Sequence, residues 1–236
     1  MKRFFVEKIE NGIGILSGEE FLHAKQVLRV KLGQQIVLFN GDGNEYLAVI
    51  TEIGKQQIIC HIEGSQQVDR ESKTAIKMLL CYLKGDKTEL AVQKATELGV
   101  QEIAIFSSKN CSAYMNDNKL LRLQKVAQEA TKQCKRVVVP KVVYYATLQE
   151  ALASCADYKN KLFACEFLNK SNINLQTLSG STAFVIGSEG GFTEEELRLA
   201  KEYDFAELSL GKRILRAETA AIALMAIVAF QLNELN

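Results

Sequence analysis

From Thr74 onward, short apolar runs alternate with longer amphipathic segments, and this alternation restricts the fold more than any other feature of the chain. Antiparallel strands close with tight turns, whereas parallel strands need a crossover of a dozen or more residues, usually a helix. The runs at 76–83, 102–106, 161–165, 183–186 and 206–210 read as strands, and 137–143 as an extended segment. Between them, 86–98, about 117–133 and 148–153 have helical spacing, and further helices open after Thr193 and near Ala217. Gly99 supplies a C-terminal stop, and Thr193 with Glu196 three residues on forms a capping box. Such a pattern predicts a mostly parallel sheet covered by helices on both faces.

Residues 1–63 follow a different grammar. Glycines separate short β-prone runs at 35–39, 46–50 and 57–62, and Asn40-Gly-Asp-Gly between the first two is a hairpin signal. One helix, 18–30, interrupts them. The polar, aperiodic stretch 64–73 marks a boundary. The expectation is a small barrel-like β domain over 1–70 and an α/β domain over 71–236.

Twenty-nine basic and 28 acidic side chains almost cancel, so a nucleic-acid role requires a local basic patch. Two sets qualify. Lys2, Arg3, Lys25, Arg29 and Lys31 lie in the first domain with His23, and Lys119, Arg122, Lys125, Lys132, Lys135 and Arg136 follow one long helix. Six cysteines form no C-x-x-C pair and cluster with neither histidine, which points to reduced thiols in a cytoplasmic protein and to no metal site. The N-terminus has no signal-peptide pattern, and the most apolar run, 220–230, is shorter than the roughly 20 residues of a membrane span.

Nucleotide motifs are absent: Gly12-Ile-Gly-Ile-Leu-Ser-Gly has its third glycine one residue late, and no phosphate-binding G-x-x-x-x-G-K-[ST] occurs. Chemistry is most credible at two loops that each leave a strand and enter a helix. They are Phe184-Val-Ile-Gly-Ser-Glu-Gly-Gly-Phe-Thr and Leu210-Gly-Lys-Arg-Ile-Leu-Arg-Ala-Glu-Thr. Two such crossings at neighbouring strand ends make a ligand crevice. The last helix is small and apolar on nearly all sides, and so packs closely against the sheet or a second subunit.

Those two runs resemble the signature of the RsmE family, the 16S rRNA (uracil-1498-N3)-methyltransferases of the SPOUT class. The resemblance extends to His23-Ala-Lys-Gln-Val-Leu-Arg, Gln93-Lys-Ala-Thr-Glu-Leu-Gly-Val and Glu129-Ala-Thr-Lys-Gln-Cys-Lys-Arg-Val-Val-Val-Pro, and so covers nearly the whole chain. Ser188 stands where the family more usually has proline, and Ser107-Ser-Lys-Asn-Cys-Ser departs from its usual Arg- or Glu-containing run. The resemblance implies an N-terminal PUA-like β-barrel for RNA and a C-terminal SPOUT domain with a deep trefoil knot, working as a homodimer on 16S rRNA or the small ribosomal subunit. It implies S-adenosylmethionine as cofactor, held by Cys165, Glu166, Ile186, Gly187, Gly190, Gly191, Leu208, Leu210, Gly211, Ile214 and Leu215. For catalysis it suggests Arg216 facing charge on the uracil oxygens, with Glu189 and Glu218 as proton acceptors or partners of the cofactor's positive charge. A plainer alternative has both glutamates bonding loop amides and Arg216 pairing with one of them. Arg3, His23, Arg29, Arg122, Lys132 and Arg136 are the expected RNA contacts. A catalytically inactive RNA-binding module of the same fold is the competing function.

Overall fold

A computed structural model describes residues 1–165 and 174–235. The chain divides into two compact units, one of residues 1–71 with 131–139 and the other of 72–130 with 140–236.

The first unit holds strands β1 (Arg3–Phe5), β2 (Ile9–Glu10), β3 (Ile13–Ser17), β4 (Gln35–Phe39), β5 (Asn44–Ile53) and β6 (Gln57–Gln67) in one sheet of order β1-β4-β5-β6-β3-β2. The pair β1 and β4 is parallel and the other pairs are antiparallel. Gly41 and Gly43 take positive φ in the β4–β5 turn, as the Asn-Gly-Asp-Gly signal requires. Two register shifts between β5 and β6 bend the long hairpin. Alternate side chains of β3 point inward, and Phe4, Leu16, Ile36, Leu38 and Ile58 fill the core. The polar stretch from Gly64 to Gln67, expected as loop, continues β6 instead, because β5 supplies ladder partners whatever the side chains are. The expected helix over 18–30 is α1 (Gly18–Leu22) followed by a π-helical turn, His23–Val27, in which the Leu28 amide donates to the His23 carbonyl at 2.9 Å.

Residues 131–139 belong to this unit through buried charge. Glu71 accepts from Arg136 Nε at 2.8 Å and from the Val137 and Val138 amides at 2.9 and 3.1 Å. Lys132 donates to Glu20 at 2.7 Å, and Arg3 donates to the Arg136 carbonyl at 2.9 Å while pairing with Glu45. These contacts correct the surface reading of three residues. Lys132 and Arg136 are 8% and 3% exposed, and the Arg3 side chain 11%. A cation committed to a half-buried carboxylate would abandon that carboxylate if it turned to a phosphate, so these three are structural. Arg29 stays exposed, and half-buried His23 packs edge-on against Phe4.

The second unit is built from β7 (Ile76–Cys81), α2 (Lys87–Glu97), β8 (Glu102–Phe106), α3 (Asp117–Gln133), β9 (Lys141–Tyr145), α4 (Leu148–Ala153), β10 (Asn160–Ala164), β11 (Thr182–Ile186), α5 (Glu194–Glu202), β12 (Ala206–Leu208) and α6 (Ala217–Gln231). Its sheet is wholly parallel, in the order β12-β10-β11-β7-β8-β9. Every residue of the central strands β7 and β11 is buried, which is why both read as largely apolar runs, and the one charge in them, Lys77, is paired with Glu102 at 2.9 Å and with the Ser154 hydroxyl at 2.8 Å. Successive strands first add on one side of β7 and then on the other, so the order reverses between β7 and β11. Ligand crevices of open parallel sheets form outside the strand carboxyl ends at such a reversal. Helix α6 packs against α2, β7 and β11, yet Ile227 and Phe230 on it remain exposed.

Candidate active site

The carboxyl ends of β10 and β11, the loop after β12, and the starts of α2 and α6 enclose a cavity of about 530 Å³. Ala164 and Cys165 close one end, and Ile186, Leu210 and Leu215 supply apolar wall. That volume lies within the usual range for small-molecule sites, and its mixture of apolar surface with a few charged groups is typical of them.

Packing explains the glycines of the first loop. A Cβ on Gly187 would stand 2.7 Å from the Phe192 ring, itself packed at 4.3 Å between centroids and tilted by 43° against Phe163. On Gly190 it would meet Asn110 Cβ at 2.9 Å. Asn110 in turn donates its side-chain amide to the Gly190 and Gly191 carbonyls at 3.1 and 3.3 Å, and its own carbonyl accepts the Ser188 hydroxyl at 3.0 Å. The Lys109 amide donates to Glu196 at 3.0 Å, and the Thr193–Glu196 capping box is formed. The segment that departs from the family pattern, 107–112, is thus the buttress of the cavity loop, and serine at 188 contributes a hydroxyl bond to it that proline could not.

Charge is concentrated at the mouth. Glu189 accepts from the Lys87 ammonium at 2.8 Å and from the Lys84 amide at 3.4 Å. Burial works to raise the Glu189 pKa, but the Lys87 hydrogen bond and the loop amides outweigh it and hold the carboxyl below its ordinary value. The hydrogen bond to Glu189 correspondingly raises Lys87, with smaller opposing effects of the Glu218 and Arg216 charges. The pair is therefore fully ionised between the ordinary carboxylate and lysine ranges. It weakens as pH falls through the lowered Glu189 value or rises through the raised Lys87 value. A carboxylate held so acidic is a weak proton acceptor near neutrality.

Arg216 lines the cavity as the N-cap residue of α6, and its side chain makes no capping bond. Two residues on, Glu218 is 9% exposed, and its Oε2 is buried with no hydrogen-bond partner among the described residues. A buried carboxylate oxygen without a donor is costly unless a ligand or a proton reaches it. Arg216 forms no ion pair with Glu189 or Glu218 among the described residues. Of the plainer alternative, only the Glu189 bond to a loop amide is present.

Seven of the expected cofactor residues line the cavity: Cys165, Ile186, Gly187, Leu210, Gly211, Ile214 and Leu215. Gly190, Gly191 and Leu208 do not. The two glycines are turned to Asn110, and the Leu208 side chain is buried in β12, where its carbonyl accepts the Cys165 amide at 2.9 Å. Glu166 lies outside the described residues. Of the expected catalytic residues Arg216 and Glu189 face the cavity, and Glu218 sits behind its rim. Lys87, which the sequence reading missed, faces it too, as do Lys212 and Arg213. The one available signal for Lys87 was its position at the start of a helix after a buried strand, where parallel-sheet sites collect.

A family model described as an RNA methyltransferase domain matches residues 70–229, and one described as an RNA methyltransferase PUA domain matches 16–63. The ribosomal RNA small subunit methyltransferase E of Mesomycoplasma hyopneumoniae is 34% identical over 95% of this chain and 97% of its own length. That of Bacillus subtilis is 29% identical over 98% and 97%. Among solved structures, a Legionella pneumophila methyltransferase in complex with its cofactor SAM superimposes with a TM-score of 0.88 at 31% identity, covering 97% of this chain and 96% of that one. The Neisseria gonorrhoeae ribosomal RNA small subunit methyltransferase E bound to S-adenosyl methionine gives 0.87 at 30% identity, covering 97% of both. With matched domains across both units and relatives similar over nearly its full length, this chain belongs to the ribosomal RNA small subunit methyltransferase E family of RNA methyltransferases.

Proposed function

We propose that this protein is an S-adenosylmethionine-dependent methyltransferase that modifies N3 of uridine 1498 in 16S rRNA. The observation that carries the reading is the cavity at the strand carboxyl ends, lined by Arg216, Glu189 and Lys87 beside a buried carboxylate, in a chain with solved relatives that hold bound S-adenosylmethionine. The residues present suit that cofactor. Ile186, Leu210 and Leu215 offer an apolar slot with backbone groups for the adenine edges, and the ionised Glu189 complements a positive charge. When bound, the cofactor supplies an electrophilic methyl group.

What this chain's own residues must do is orient the uracil, neutralise charge on it and remove the N3 proton. Arg216, free of capping duty, presents its guanidinium to the uracil oxygens, where negative charge develops. Lys87, raised in pKa and so firmly protonated, adds a second cation and holds Glu189 in place. Glu189 is then an electrostatic partner, and Glu218, with its unpartnered oxygen, is the proton acceptor. Glu218→Gln keeps the shape of that side chain and removes its basicity. It should lower the transfer rate by about 10²-fold while cofactor affinity, read by calorimetry, changes less than about twofold. An unchanged rate in the variant would remove Glu218 from the chemistry.

The same reading makes 1–70 a PUA-like RNA-binding domain and 71–236 a SPOUT methyltransferase domain. The return of the chain from the edge strand β12 to α6 against β7 and β11 supports a deep trefoil knot. The apolar α6 with exposed Ile227 and Phe230 supports a homodimer, and an rRNA substrate supports a cytoplasmic location. Among the described residues no helix is long and apolar enough to cross a membrane. The deciding experiment incubates the pure chain with methyl-labelled cofactor and small ribosomal subunits lacking the modification. Label at N3 of the one uridine is expected, and its absence would leave an RNA-binding module in place of an enzyme.

A further inference from the structure

A second cavity, of about 420 Å³, is lined by the loop 82–86 that leads into α2. Its wall includes Tyr82, Lys84, Asp86, Lys119 and Arg122, all in the second unit. The two cavities are linked by one contact: the amide of Lys84, which borders the second, donates at 3.4 Å to Glu189, which borders the first. We propose that this second cavity is an RNA subsite that takes the nucleotide adjoining the target uridine, an inference that rests on the rRNA-methylating reading above.

The composition of the wall argues for a nucleotide. Tyr82 is half-buried, its amide donating to Phe106 at 3.0 Å and its carbonyl accepting the Cys111 thiol at 3.2 Å, so the backbone that carries its ring is held on both sides. The Lys119 ammonium lies 5.1 Å from the ring centroid and is anchored on the Tyr114 carbonyl. With the ammonium over one face, the ring can offer its other face to an unstacked base and the cation to that nucleotide's phosphate, and such stacking tolerates any base. Glu89 neutralises Arg122 through a bond of 2.8 Å, which leaves Lys84 and Lys119 for the phosphate. Asp86, exposed at the start of α2 with no capping bond, is the acceptor available to a ribose hydroxyl. Holding the neighbouring nucleotide here fixes the backbone on one side of the flipped uridine and so orients it in the first cavity.

The test uses the full chain, unmodified small ribosomal subunits and methyl-labelled cofactor, with Tyr82→Ala, Tyr82→Phe and Lys119→Gln. For Tyr82→Ala the KM for subunits should rise roughly tenfold or more, with kcat and cofactor affinity within about twofold. Tyr82→Phe, which retains the ring, should match the parent, and Lys119→Gln should flatten the salt dependence of subunit binding by about one counterion. A parental KM in Tyr82→Ala, or a loss in Tyr82→Phe as large as in the alanine variant, overturns the subsite. If Tyr82→Ala does not fold, an unaltered salt slope in the surface variant Lys119→Gln overturns it alone. Failure of the parent chain to methylate any subunit rejects the function itself, a distinct result.

Discussion

Replacing Arg216 by alanine should slow methyl transfer by roughly 10²- to 10³-fold and leave cofactor affinity within a few-fold of the parent. The expectation follows from what Arg216 does not do. It occupies the N-cap of α6 without capping it, pairs with neither nearby glutamate, and is exposed, so its removal takes no support from the fold. A guanidinium in such a place is free to act on substrate. Because it stabilises charge that builds only as the uracil loses its proton, the loss belongs in kcat, not in cofactor binding. Arg216→Lys should recover little, since an ammonium cannot reproduce the planar fork. Single-turnover rates beside calorimetric cofactor titrations check this, and comparable losses in both would show a binding residue instead.

The other large effect falls far from the chemistry. Arg136→Ala should destabilise the protein by about 2–3 kcal/mol, because it removes a buried guanidinium and leaves the half-buried Glu71 carboxylate without its ion pair. Glu71 would keep only the Val137 and Val138 amides. In a unit of this size the melting temperature should fall by roughly 8–24 °C. Arg29→Ala, an exposed change, should move it hardly at all. A stable Arg136→Ala protein with weakened rRNA binding would restore Arg136 to the RNA surface. The contrast matters because both residues looked alike as sequence: each is a basic residue in a basic run.

That example marks where reading the chain fails. Basic runs say that charge is present, but acidic partners such as Glu20, Glu45 and Glu71 lie far away in sequence, and only folding brings them within hydrogen-bond reach of Lys132, Arg3 and Arg136. The same holds for the cavity glycines. Their abundance in 187–191 was legible as a special backbone, yet Gly187 is small to admit Phe192 and Gly190 to admit Asn110, not to admit a ligand. Lys87 was passed over because nothing local distinguishes it, and its significance comes from Glu189, 102 residues away.

The elements that local rules govern were legible without coordinates. Buried strands β7 and β11 are largely apolar runs, the capping box of α5 is spelled out by Thr193 and Glu196, and the β4–β5 turn by its glycines. Periodicity and capping act over a few residues, so the sequence alone determines the change from a β unit to alternating strands and helices, and the two loops where a ligand must sit. Strand order is different in kind. That β10, β11 and β12 add on the opposite side of β7 from β8 and β9 depends on long-range packing, as does the partnering of each charge. Tertiary structure therefore decided which of the residues in the two loops face one cavity and which cations are spent inside the protein, because desolvated ion pairs and close contacts exist only once distant segments meet.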